Sequence, residues 1–94
     1  MSAKADRDVM NIFKHIVIDN APAAARFYAL LHEKFGALAV TPGMGVASDH
    51  IDRGTRKVPV GEYLIYYRPG RDRLLICRVL HGKRRQKQAY YQRP

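Results

Sequence analysis

Apolar positions recur with a helical period over the first forty residues and with a two-residue period further along the chain. From Lys4 to Asp19, Ala5, Val9, Ile12, Phe13 and Ile16 fall on one helix face while Lys4, Arg7, Asp8, Asn11 and Lys14 lie elsewhere, which predicts an amphipathic helix. Ser2 stands where a cap belongs. The step Asp19-Asn20-Ala21-Pro22 stops this helix and opens a second, with Asn20 as its cap and Pro22 in its first turn. Ala24, Phe27, Leu31, Phe35 and Leu38 share one side of the second helix, which Gly36 weakens near its end and Thr41-Pro42-Gly43 terminates. So short a link makes an antiparallel helical hairpin over about residues 4–40.

Pro42 to Arg53 reads as a loop by composition. From Gly54 to Gly82 two reversals, Val60-Gly61-Glu62 and Pro69-Gly70-Arg71-Asp72, separate three runs of strand-type residues. The fold class is α+β: the hairpin packs on an antiparallel sheet of three strands, or slightly more, at about 55–81. Alternation puts Tyr63, Ile65 and Tyr67 on one face and Leu64, Tyr66 and Arg68 on the other; the last strand divides into Leu75, Cys77, Val79 and His81 against Leu74, Ile76, Arg78 and Leu80. Neither face is polar. The hairpin covers one, so the other is expected to await a partner. A basic tail, residues 83–94, follows as a helical turn or a loose end.

Charge sharpens this picture through its placement. Residues 1–52 hold five Lys/Arg and six Asp/Glu, a balance of −1, whereas residues 53–94 hold twelve and two, a balance of +10. A sheet and tail so charged attract phosphate backbones or acidic protein segments. The tail, with Lys83, Arg84, Arg85 and Lys87 followed by Tyr90 and Tyr91, suits RNA and an acidic peptide equally well. At 94 residues the chain is one domain. It has no membrane-spanning stretch and no signal-peptide pattern, and the expected location is the cytoplasm.

Candidate chemistry is sparse. The single cysteine, Cys77, excludes an internal disulfide and reads as a buried small hydrophobe. Asp49-His50-Ile51-Asp52 lacks the ligand count and rigidity of a metal site, and His15, His32 and His81 are scattered in sequence. No cofactor is expected. Hydrolase signatures are missing, so any catalysis would be metal-free, as in RNA cleavage where the 2′-hydroxyl is the nucleophile and cations stabilise the phosphorane.

Gly54-x-Arg56, Pro59-Val60-Gly61-x-Tyr63, Tyr66-Tyr67-Arg68 and Arg78-Val79-Leu80-His81-Gly82-x-Arg84 resemble the RelE/ParE superfamily of type II toxin–antitoxin toxins, closest to its ParE branch. The resemblance implies two helices on an antiparallel sheet with a strand before the first helix; here that strand is missing or reduced, which leaves an open edge. It also implies a toxin that inhibits DNA gyrase and so replication, is neutralised by a ParD-like antitoxin with an acidic, apolar C-terminal segment, and has no catalytic residue. Arg56, Tyr63, Tyr67, Arg78, Leu80, Lys83, Arg84 and Arg85 are then the residues expected to meet target or antitoxin.

The RelE branch implies the alternative, a ribosome-dependent mRNA endoribonuclease in which Lys57, Arg84 and Tyr90 are catalytic. Leu64 stands where that branch has a strand arginine. Arg85 replaces the acidic residue that the ParE branch has there.

Overall fold

Ser2 and Asn20 set the two long helices. In the computed structural model, which describes residues 1–94 throughout, the Ser2 hydroxyl accepts from the Ala5 N–H at 3.0 Å and the Asn20 amide oxygen from the Ala23 N–H at 3.0 Å. Helix α1 spans Ala3–Asp19 and α2 spans Ala21–Val40, so Asn20 alone joins them and forces the antiparallel return. Gly36 is absorbed within α2.

A 3-10 turn, Pro42–Met44, leads to four strands: β1 Val46–Ala47, β2 Arg56–Val60, β3 Tyr63–Pro69 and β4 Leu74–His81. They form an antiparallel sheet in the order β1-β2-β3-β4. The sheet expected to have three strands or slightly more has four, the additional one coming from inside the predicted loop, where Val46 and Ala47 pair with Lys57 and Arg56. Gly45 makes this possible. A Cβ there would lie 2.6 Å from the Tyr67 hydroxyl and 2.7 Å from the Lys57 carbonyl oxygen. The Tyr67 hydroxyl instead accepts from the Gly45 N–H at 2.9 Å and donates to the Pro42 carbonyl at 2.7 Å, tying the loop to the core. Gly61, at φ +57°, supplies the left-handed residue of the β2–β3 hairpin.

The hairpin buries Val9, Phe27, Leu31 and Leu38 against Val58, Val60, Ile65, Tyr67, Ile76 and Val79. Strand β3 alternates as expected, but β4 does not. Tyr66 lies opposite Arg78 and Tyr67 opposite Ile76, so Cys77 is the extra residue of a bulge and the phase slips there. Leu74 and Ile76 therefore join Val79 on the helix side, while Cys77 and Leu80 go to the other face.

That other face is closed, contrary to expectation. After Gly82 the chain turns back as helix α3, Gln86–Tyr91, and Ala89 and Tyr90 pack with Ile51 over Tyr66, Cys77 and Leu80. The edge expected to be open belongs to β4, a terminal strand, and the start of α1 partly covers it. The Ser2 N–H donates to the Ile76 carbonyl and its hydroxyl to the Cys77 carbonyl, each at 2.9 Å. The Val79 N–H donates to the Asp8 carboxylate, also at 2.9 Å.

Candidate functional site

Two polar hubs hold the roof on the sheet and decide which side chains stay free. The first is Arg78, 1% exposed, which projects from β4 between α1 and α3. Its Nε and Nη2 donate to the two carboxylate oxygens of Asp8 at 2.7 and 2.8 Å, and its Nη1 donates to the carbonyls of Ala89, Tyr90 and Gln92. The guanidinium therefore pairs with the N-terminal helix and ties down the end of the C-terminal one, where the Ala89 carbonyl also accepts from the Gln92 N–H at 3.2 Å. Arg78, expected to meet target or antitoxin, is instead enclosed and paired with Asp8.

The second hub is Asp52, in the turn before β2. One carboxylate oxygen accepts from Arg68 Nη2 at 3.0 Å and from the Tyr90 hydroxyl at 2.8 Å. Asp49, in the same turn, caps the Gly54 N–H at 2.8 Å. The Tyr91 hydroxyl donates to the Ile51 carbonyl at 2.6 Å and the Tyr66 hydroxyl to the Gln86 amide oxygen at 2.9 Å, so three tyrosines pin α3 down. The rings of Tyr66 and Tyr90 meet edge to face at 5.4 Å.

Burial, then the bond to Asp52, pushes the Tyr90 phenol well above its ordinary value. Burial also raises Tyr66, and burial together with the charge of Glu62 raises Tyr63. For Arg68, desolvation lowers the guanidinium pKa, but the bond and charge of Asp52 outweigh it and the net shift is upward.

The residues singled out in the sequence separate into two sets. Tyr67, Arg78 and Leu80 are buried, and Tyr63 and Arg56 half-buried, with the Arg56 guanidinium donating to the Gly45 carbonyl and bracing the β1 loop. Tyr90, on the inner side of α3, is buried with its hydroxyl on Asp52, beside a cavity that Cys77 and Arg78 also line. Lys83, Arg84 and Arg85 are exposed on the turn between β4 and α3, and Lys57 is half-buried on the roofed face opposite Tyr66. Arg84 and Tyr90, six residues apart in sequence, are not joined: Arg84 Nη2 donates to the Gln92 side chain at 2.9 Å.

The fold also assembles what the sequence scatters. His15 and His81 line one cavity with Asp19, Glu62 and Tyr63, and His81 lies 3.7 Å from the Glu62 carboxylate. Exposed apolar surface is concentrated on the hairpin, where Met10, Phe13, Val17 and Tyr28 are solvent-facing and Phe13 packs edge-on against Tyr28 with ring centres 6.4 Å apart; on the sheet Val46 and Leu75 are exposed singly. Only the apolar character of Phe13 was legible, as part of the core stripe.

A helical hairpin over a four-stranded antiparallel sheet, closed beneath by a short C-terminal helix, is the α+β arrangement of the RelE/ParE fold. The chain belongs to the ParE toxin family of the type II toxin–antitoxin system parDE, whose family model matches residues 1–86. Lys87 to Pro94, with Tyr90, lie outside the matched stretch. No curated protein matches the chain. Membership of this family implies a cognate antitoxin. No helix is long and apolar enough to cross a membrane.

Proposed function

We propose that this toxin acts in the cytoplasm by binding DNA gyrase and stalling it on cleaved DNA, and that a ParD-like antitoxin neutralises it. Family membership supports the class of target. The burial of Tyr90 carries the choice of binding over RNA cleavage. A catalytic tyrosine must offer its hydroxyl to the reacting phosphate, whereas this side chain is buried, its hydroxyl is committed to the Asp52 carboxylate, and burial makes the proton harder to remove. Lys57, Arg84 and Tyr90 also lack the mutual contacts that would gather them around one phosphate.

The antitoxin's apolar anchors are assigned to the hairpin surface around Phe13 and Tyr28, since the outer sheet face is occupied by α3. Its carboxylates would then lie toward the cationic half.

The test compares two activities of one purified sample. Expected are inhibition of supercoiling with accumulation of cleaved DNA in the presence of gyrase, and intact mRNA in a translating extract. Cut mRNA with unchanged supercoiling would replace this reading with the ribonuclease one.

A further inference from the structure

Seventeen lysines and arginines leave the chain strongly cationic, yet only Arg68 and Arg78 are ion-paired. Lys83, Arg84, Arg85 and Lys87 are all exposed within five residues, and Lys57 flanks them on the roofed face beside Tyr66, whose hydroxyl reaches Gln86. We propose that this turn is a binding surface for the phosphate backbone of duplex DNA, engaged without sequence preference. The proposal rests on the gyrase-directed reading for its biological setting and on the geometry of the turn for its chemistry.

The turn is built, not loose. The Gly82 N–H donates to the Glu62 carbonyl at 2.8 Å, and the Arg84 N–H to the His81 carbonyl at 3.1 Å. The Lys83 N–H donates to His81 Nδ1 at 3.1 Å. The Gln86 amide donates to the carbonyls of His81 and Arg84 at 3.0 and 2.7 Å. Four cations are thus carried on a backbone already ordered, which lowers the entropy cost of meeting a regular array of phosphates. The one carboxylate that the contacts place beside them is that of Glu62, and it faces His81.

Duplex backbone fits this surface better than other polyanions. Single strands are held by stacking successive bases on free aromatic faces, but Tyr66 and Tyr90 are buried, which leaves Tyr91 as a lone exposed ring beside the turn, its hydroxyl tied to the Ile51 carbonyl. Base edges are read by an element that enters a groove, and α3 has six residues, under two turns. An acidic peptide needs apolar anchors as well as charge, yet none of the principal cavities is lined by residues 83–87. What remains is an exposed, hydrogen-bonded, cationic turn, suited to phosphates that position a protein without specifying sequence.

The experiment measures anisotropy of two unrelated 20-base-pair duplexes with the full chain alone, across a salt series. Equal affinity for both is expected, with log K falling against log salt at a slope of about −3.6 if four phosphates are neutralised. Arg85→Gln/Lys87→Gln should make the slope shallower by about 1.8. Arg71→Gln/Arg73→Gln, at the opposite end of β4 and roughly 25 Å away, should leave it unchanged. An equal change in both variants, tighter binding to single strands, or polyglutamate competing as well as duplex would overturn the proposal. The same proteins are assayed with gyrase. Inhibition without duplex binding removes this surface and leaves the function; duplex binding without inhibition does the reverse.

Discussion

The Asp8 carboxylate receives the Nε and Nη2 edge of the Arg78 guanidinium, 70 residues further along the chain, and also the Val79 N–H. Removing one partner leaves the other charged, buried and unmatched. Asp8→Ala should therefore cost about 3–5 kcal/mol, read as a lower denaturant midpoint with an unchanged slope. Asp8→Leu/Arg78→Met should recover much of that loss while α3 loosens, since its carbonyls at 89, 90 and 92 lose their donor. Faster amide exchange in α3, with β3 still protected, would identify this separation of the two roles.

Alkaline pH should act on both faces of the sheet, through Tyr66 and Tyr90 under the roof and Tyr63 on the hairpin side. The phenols of Tyr63, Tyr66 and Tyr90 titrate above the unfolded value of 10.0, so folding holds their protons more tightly than the unfolded chain does. Their contribution is fully present below pH 10 and is lost as pH climbs from there toward the raised folded values. Thermal midpoints should be flat from pH 7 to about 9.5 and then fall. Tyr90→Phe should make the fall less steep and, if binding rather than RNA cleavage is the mode of action, leave growth arrest intact.

Surface changes on the hairpin should separate antitoxin binding from folding. Phe13 and Tyr28 lie on the solvent side of α1 and α2 and contribute little to the main core. Phe13→Asp should weaken antitoxin binding at least tenfold, the scale of an interface anchor, with an unchanged circular dichroism spectrum. Antitoxin affinity equal to that of the unmodified toxin would move the anchor site elsewhere.

Local signals made much of the architecture readable. Ser2, Asn20 and Pro22 mark the helices because a cap or a fixed φ acts within one turn, and the tyrosine-rich strand alternates plainly. Long-range features were hidden. Two residues, Val46 and Ala47, are too few to display a period, and their pairing depends on the space left by Gly45. The phase slip at Cys77 leaves apolar residues on both faces of β4 on either side of it, so composition does not reveal it. The tail disguises its helix for a related reason: only Ala89 and Tyr90 turn inward, amid cations and glutamines. For the site, the exposed Lys83–Arg85 group was legible as charge, whereas the enclosure of Arg78 and Tyr90 depends on Asp8 and Asp52, far off in sequence.

Arg78 closes a ring that begins in the first turns of α1 and returns through the carbonyls of Ala89, Tyr90 and Gln92. Two helices from distant parts of the sequence thus share a single clasp, and β4 carries it. Local opening of either helix should loosen the other, so that the pair breathes as one unit rather than fraying separately.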